Sequence, residues 1–131
     1  MSREDVDIVR ATFTAICRRD YRGAAARLRD DAVWHNTAEF PGPNVCVGPQ
    51  AIADFWEALT DSFEGETSVE ALTEGDEGVL VDAHTVGRGR SGRVPLDLRW
   101  SLVFRVCSGK VGRVDVFGER AKAIRAAGLE E

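Results

Sequence analysis

The sequence predicts an α+β fold in which helices pack on one face of a strongly curved antiparallel sheet. Three segments with helical spacing come first, and four strand-like segments and a closing helix follow them. The clearest strand runs from residue 96 to residue 106, where every second side chain is apolar. Helices followed by a run of strands are typical of α+β domains. A cavity between the curved sheet and the helices is where we expect function to lie.

The length and composition limit the class of protein. A chain of 131 residues suits a single domain spanning residues 1–131, and 44% hydrophobic and 30% charged residues are typical of a soluble globule. The net charge of −5 argues against a nucleic-acid partner, since binding phosphates needs a basic surface. No apolar run approaches the roughly 18 residues that cross a bilayer, and the start of the chain lacks a secretory pattern. We therefore expect a cytoplasmic protein that does not contact membranes.

The first two helices have clear start signals. Ser2 and Asp5 resemble a capping box, and Asp20 can cap a second, shorter helix. The apolar face of the first helix is formed by Val6, Val9, Phe13, Ile16 and Cys17, and that of the second by Tyr21, Ala24, Ala25 and Leu28. Residues 32–37 then read as a short strand.

The middle of the chain predicts a loop and a third helix. Residues 38–48 contain two prolines and two glycines, and Pro49 suits the first position of a helix that Gly65 ends. The buried stripe of this helix is Ile52, Phe55, Trp56, Leu59 and Phe63. The predicted strands are residues 67–73, 79–86, 94–107 and 110–118, and residues 119–127 form the closing helix before Gly128.

The last two strands form a hairpin that determines the expected orientation of the candidate site. A two-residue turn at residues 108–109 is predicted from its Ser-Gly sequence. This turn would place Trp100 opposite Phe117 and Leu102 opposite Asp115. The carboxylate of Asp115 is therefore expected to turn inward among apolar side chains.

Three polar residues are the main catalytic candidates. Burial would raise the pKa of Asp115 towards that of a useful general acid or base, although an ion pair with Arg113 is the alternative. His84 can exchange protons near neutral pH, or it can form a pair with Asp82 on a solvated face. Asn36 can orient a water molecule or a carbonyl group.

Two further patterns predict no metal or phosphate site. Neither His35, which we expect to be exposed, nor His84 belongs to a recognised metal-ligand motif, and the three cysteines are widely spaced free thiols. The Gly-Arg-rich segment 87–93 lacks the Lys-Ser/Thr of a P-loop and reads as a hairpin loop at the mouth of the cavity. Anion capture by its arginines is the alternative.

Several short motifs carry a resemblance to a known family. They are Asp20, Asp30-Asp31-Ala32-Val33, Gly48-Pro49-Gln50-Ala51-Ile52, Gly109-Lys110-Val111, Phe117-Gly118-Glu119 and Ala127-Gly128-Leu129. Their order and spacing resemble the nuclear-transport-factor-two-like superfamily, in its SnoaL-like and ketosteroid-isomerase-like branch. The resemblance implies a conical, cystatin-like sheet around a deep apolar pocket and a homodimer. Members include isomerases, polyketide cyclases, epoxide hydrolases and proteins without catalysis, so the fold alone leaves the activity open.

The catalytic residues of the ketosteroid isomerases are replaced in this chain. The resemblance places the position of their Asp base at Asn36 and that of their Tyr at Thr12, and their second Asp falls near Trp100 or Ser101. Because an amide cannot take up a proton at neutral pH, that mechanism is not conserved as it stands.

Two other branches match in part. The chain also resembles limonene-epoxide-hydrolase-like proteins. By this resemblance it keeps their Asn and Asp as Asn36 and Asp115, but it has Trp34 in place of a Tyr and Asp82 in place of an Arg. SnoaL-type cyclases typically use an acid-base Asp and a nearby His, for which Asp115 and His84 are the candidates.

The sequence thus predicts a small-molecule pocket protein, with a cofactor-free isomerase or cyclase as the first reading. Asp115 would act as base, His84 as its proton partner and Asn36 as the group that polarises an oxygen of a polyketide- or steroid-like carbonyl compound. The expected ligand contacts are Phe13, Trp34, Trp56, Asp82, Trp100, Leu102 and Phe117. A non-catalytic dimeric binding protein and an epoxide or lactone hydrolase are the alternatives. The expected dimer face carries Ser101, Val103, Val114 and Val116.

Overall fold

The structure, a computed structural model, describes residues 3–37 and 43–129, and this part of the chain contains four helices and six strands. The helices are α1 (Arg3–Cys17), α2 (Tyr21–Ala25), α3 (Pro49–Asp61) and α4 (Arg120–Ala126). The strands are β1 (Leu28–His35), β2 (Val45–Val47), β3 (Phe63–Glu74), β4 (Val79–Gly89), β5 (Pro95–Cys107) and β6 (Lys110–Phe117). Each of these helices is too short or too polar to span a bilayer.

The strands form one six-stranded sheet in the order β2-β1-β6-β5-β4-β3. Neighbouring strands are antiparallel except β1 and β6, which are parallel. The α+β prediction is confirmed, with this one parallel pair as a departure from a purely antiparallel sheet. The departure arises because β1 joins the sheet beside the last strand instead of beside β3.

Both faces of the central strands are covered. The inner face packs against α1, α2 and α3 and includes Trp34, Val81, Leu102, Phe104 and Val114. On the outer face a smaller cluster joins the sheet to α4 through Leu80, Val103, Ala123 and Ala127. Burial on two sides explains why Trp100 to Phe104 is an unbroken buried run despite its alternating polarity.

Three of the predicted helix-end signals are confirmed, namely those at Asp20, Pro49 and Gly128. The Asp20 carboxylate accepts a hydrogen bond of 3.0 Å from the Gly23 N–H, and Pro49 begins α3. At the end of α4, Gly128 has a φ of +76° and its N–H donates to the Arg125 carbonyl, while the Leu129 N–H donates to the Ile124 carbonyl. These two bonds form a Schellman motif. The predicted cap at Ser2 lies outside the described residues.

Several predicted boundaries shift. Strand β1 begins four residues before the predicted strand, and residues 45–47 of the predicted loop form β2, whereas residues 38–42 lie outside the described part. Helix α3 ends at Asp61, so Phe63 and Gly65 belong to β3 and not to the helix. The cap residue Ser62 donates its N–H to the Leu59 carbonyl, which ends the helix before Gly65.

The predicted pairing of the last hairpin is wrong beyond its turn. Residues 108 and 109 form the turn, with φ angles of 55° and 81°, as a type I′ turn requires. Next, Val106 pairs with Val111 but Arg105 pairs with Arg113, so Gly112 is an extra residue in β6. Such a bulge exchanges the two faces of the strand beyond it.

The bulge moves Asp115 to the outer face. Asp115 lies opposite Val103, and Leu102 lies opposite Val116 instead. Phe117 pairs with Ser101 and therefore also lies on the outer face, not opposite Trp100.

The expected dimer face is divided between the two sides of the sheet. Val114 and Val116 belong to the inner core, whereas Ser101 and Val103 are on the outer side. Val103 is already covered by α4. These four residues therefore do not form one surface.

Candidate functional site

An open cavity of about 630 Å³ lies between α3, the β4–β5 hairpin and the end of β6. We call it the apolar cavity. Its lining residues are Thr37, Trp56, Leu59, Ser62, Phe63, Thr67, Thr85, Gly89, Val94, Pro95, Leu96, Leu98, Trp100, Gly118 and Glu119. Most of these side chains are apolar or aromatic, as in sites that bind small apolar molecules.

The aromatic part of the wall consists of two stacked tryptophans and Phe63. The rings of Trp56 and Trp100 stack with centroids 6.1 Å apart and an angle of 29° between their planes. Trp34 packs edge-on against Trp56 at 5.2 Å and does not line the apolar cavity. Trp56 thus packs against an aromatic ring on each of two sides, and the stacked pair gives the wall an aromatic surface.

Three polar side chains in the wall are connected by hydrogen bonds. Trp100 Nε1 donates to Thr85 Oγ1 at 3.0 Å, and Thr85 Oγ1 lies 2.8 Å from Thr67 Oγ1. Thr85 and Thr67 are opposite each other on β4 and β3. We call this group the Thr67–Thr85–Trp100 triad.

Ionisable groups are nearly absent from the described part of this wall. Among the described lining residues, Glu119 alone has an ionisable side chain. Its carboxylate is exposed and lies 3.7 Å from Lys122 Nζ. The indole N–H of Trp56 is buried and has no hydrogen-bond partner in the described structure. The wall is thus suited to binding apolar groups more than to charged chemistry.

The structure separates the predicted ligand contacts into three groups. Trp56 and Trp100 line the apolar cavity as expected. Phe13, Trp34 and Leu102 are fully buried in the core between the helices and the sheet and do not line it. Asp82 and Phe117 lie on the outer face of the sheet, where the strand pairing places them.

Asp115 is the centre of an ion-pair network on the outer face. Its carboxylate accepts two hydrogen bonds from Arg113, from Nε at 2.9 Å and from Nη2 at 3.0 Å. Arg105 Nη1 lies 3.5 Å from the same group, and His35 Nδ1 lies 3.8 Å away. The Asp115 side chain is 12% exposed, and its contact with Arg113 raises the pKa of that guanidinium. The ion pair with Arg113 that the sequence predicts as the alternative is thus present in the structure.

His84 and Asp82 also lie on the outer face, and they do not bond to each other. His84 Nε2 lies 2.6 Å from Asp97 Oδ1, on the neighbouring strand. Asp82 accepts hydrogen bonds from Arg120 Nε at 2.9 Å and Nη2 at 3.1 Å, and another from Ser101 Oγ at 3.0 Å. Neither residue lines the apolar cavity.

Asn36 is buried and uses both ends of its amide. Its Oδ1 accepts from Trp34 Nε1 at 2.9 Å, and its Nδ2 donates to the Pro43 carbonyl at 3.0 Å. His35 points to the other side and has a side chain that is 49% exposed, as the sequence predicts. The structure therefore does not bring Asn36, His84 and Asp115 together in one site.

Sequence reasoning missed several residues of the wall. Thr67, Thr85 and Glu119 are polar residues of the wall that were not predicted as site residues. Of these three, only Glu119 belongs to a motif named above, Phe117-Gly118-Glu119, which indicated the family but no role in a site. Alternation did place Leu96 and Leu98 on the same side as Trp100, which was a usable signal for two of the apolar residues.

Comparisons with known proteins agree with this architecture. The SnoaL-like domain family matches residues 9–114. An NTF2-like protein from Burkholderia xenovorans LB400 is 24% identical, with 98% of each chain covered and a TM-score of 0.77. A second NTF2-like protein, from Burkholderia thailandensis E264, is 20% identical over 95% of this chain and 98% of its own, with a TM-score of 0.81.

A third structure has a name that refers to an activity. It is a putative polyketide cyclase from Sinorhizobium meliloti, 23% identical over 85% of this chain and 94% of its own, with a TM-score of 0.66. No curated protein matches the sequence. At these identities the solved structures establish the fold.

Proposed function

The chain belongs to the SnoaL-like domain family, and we propose that it binds an apolar small molecule in the apolar cavity. The observation that carries this proposal is the wall itself, in which stacked Trp56 and Trp100 adjoin Leu96 and Leu98 around about 630 Å³ of open space. A space of this size accommodates a compound of two or three fused rings. The aromatic stack favours a ligand with a planar, apolar part.

The positions of the polar residues favour binding over the catalytic set predicted from the sequence. Asp115, His84 and Asn36 are engaged with Arg113, Asp97 and Trp34, and none of the three lines the apolar cavity. A general acid or base must come within hydrogen-bond reach of the group that it serves. The arrangement thus supports the binding-protein alternative more strongly than proton transfer by these residues.

Binding can be measured with N-phenyl-1-naphthylamine, a neutral dye whose fluorescence rises in apolar surroundings. The Leu98→Glu variant would place a carboxylate in the wall and is expected to weaken dye binding by about tenfold or more, because the cavity must then hold a charge beside apolar rings. Val47→Glu is the matched control, since Val47 is also an exposed aliphatic strand residue but lies outside the cavity. Equal dye binding by the two variants would refute the proposal. So would a wild-type protein that does not increase the fluorescence of the dye.

An isomerase or cyclase is the second candidate, and the position of Glu119 favours it. Glu119 lines the apolar cavity and is the one ionisable residue among its described lining residues. Glu119 would take a proton from a carbon next to a ligand carbonyl and return it to another carbon, so that the reaction needs no cofactor. The putative polyketide cyclase of the same fold supports this class of chemistry as a proposal.

Proton transfer can be tested with 2-tetralone, an apolar ketone that exchanges its α-hydrogens. In D₂O, the wild-type protein is expected to accelerate deuterium uptake, and Glu119→Gln to abolish the acceleration. Glu57→Gln is the control, since Glu57 is exposed on α3 and does not line the cavity. An unchanged rate for Glu119→Gln would exclude Glu119 as the base.

We also propose that the protein is a cytoplasmic homodimer. The family resemblance supports the dimer, and the free, exposed thiol of Cys107 is compatible with a reducing compartment. Sedimentation velocity at micromolar concentration measures the oligomeric state directly. A single species of about 14 kDa, the mass of one chain, would exclude the dimer.

A further inference from the structure

One hydrogen-bond donor of the Thr67–Thr85–Trp100 triad has no acceptor within the triad. The triad contains three donors, namely one indole N–H and two hydroxyl groups. Two of them are used inside the triad, because Trp100 donates to Thr85 and one threonine donates to the other. Whichever threonine donates, the second hydroxyl keeps a hydrogen with no partner in the triad.

This remaining hydrogen belongs to a residue of the apolar cavity. Thr67 and Thr85 both line the cavity, and Thr85 is 5% exposed. The surroundings are apolar, so a hydrogen bond formed here meets little competition from water. The hydrogen bond from Trp100 orients the Thr85 hydroxyl within the triad.

We propose that the triad determines ligand specificity by donating one hydrogen bond to an acceptor oxygen on an otherwise apolar ligand. The ligand class is an aromatic or polycyclic compound with a carbonyl or ether oxygen. This inference rests on the proposed function, since it assigns a polar contact within the same cavity.

A matched pair of probes separates the hydrogen bond from apolar binding. Fluorene and 9-fluorenone share the same ring skeleton. Fluorene has a CH₂ group where fluorenone has a carbonyl group. The wild-type protein is expected to bind fluorenone about fivefold more tightly than fluorene, the ratio that one net hydrogen bond supplies. The double variant Thr67→Val/Thr85→Val is expected to bind the two probes equally. In this variant a valine methyl replaces the hydroxyl that faced Trp100 Nε1, so the indole N–H stays directed at a carbon atom.

The outcomes distinguish this inference from the proposed function. Failure of the wild-type protein to bind either probe would refute the apolar site itself. Equal binding of both probes by the wild-type protein, or an unchanged preference in the double variant, would refute the role of the triad alone. Valine suits a β-strand, and thermal unfolding verifies that the variant is folded.

Infrared spectroscopy of the wild-type complex keeps the test independent of the variant. A hydrogen bond lowers the carbonyl stretching frequency of bound fluorenone below its value in hexane. A band at the hexane position would contradict the proposal even if the double variant did not fold.

Discussion

Asp115 lies directly opposite Val103 across strands β5 and β6, on the side of the sheet that α4 covers. The extra residue Gly112 puts it there, because a one-residue bulge reverses which face each following side chain occupies. Without the bulge, the same carboxylate would face Leu102 and the helices. Asp115, one of the main catalytic candidates in the sequence, therefore lies on the outer face, where its charge is balanced by Arg113.

Asp115→Asn is expected to reduce stability without affecting ligand binding. The substitution removes a charged acceptor that holds Arg113 by two hydrogen bonds and lies near Arg105, at a cost of about 1–2 kcal/mol in the free energy of unfolding. Urea denaturation measures this loss, and titration with N-phenyl-1-naphthylamine measures binding.

The control is Asp31→Asn, which breaks a similar contact with Arg29 in an exposed position. Its stability should match the wild-type value within error, because exposed ion pairs contribute little. Loss of dye binding in a folded Asp115→Asn protein would contradict this prediction and would show that Asp115 contributes to ligand binding.

The periodicity of the sequence predicted the helices and strands well, but it did not predict how neighbouring strands pair. Alternation correctly placed Trp100 and Leu102 on one face of β5, because that pattern belongs to a single strand. The pairing between strands depends on Gly112, whose insertion has no signature in the polarity pattern. The sequence also did not predict how deeply each residue of a strand is buried. Leu102 lies in the core beneath the helices, whereas Leu98 on the same strand lines the cavity.

Leu102 and Leu98 should therefore respond differently to truncation. Leu102→Ala is expected to lower the free energy of unfolding by about 2–5 kcal/mol, because the fully buried side chain leaves a void. Leu98→Ala should cost less than about 1 kcal/mol, since this side chain is already 39% exposed. Urea denaturation of both variants provides the comparison, and equal losses would contradict the assignment of Leu102 to the core.

Cys17 should make stability fall at alkaline pH. Burial raises the pKa of its thiol from about 9 to about 11. Between these values the unfolded chain loses the proton while the folded chain retains it, so the contribution is complete below pH 9 and is lost as pH rises towards 11.

Denaturation curves between pH 8 and pH 11 test this expectation. Cys17→Ala is predicted to show a shallower decline than the wild-type protein. Tyr21, whose pKa burial also raises, is present in both proteins and cancels in the comparison. Parallel pH profiles would show that Cys17 does not titrate differently in the two states.

Gly89 offers a way to close the apolar cavity without disturbing its walls. It lines the cavity, and a Cβ atom added to it would meet no other atom within 4 Å. Gly89→Phe is expected to occupy space that a ligand needs and to weaken dye binding by about fivefold or more. Gly89→Ala adds only a methyl group and should bind as the wild-type protein does. Fluorescence titration distinguishes the two variants, and undiminished binding by a folded Gly89→Phe protein would place the ligand elsewhere.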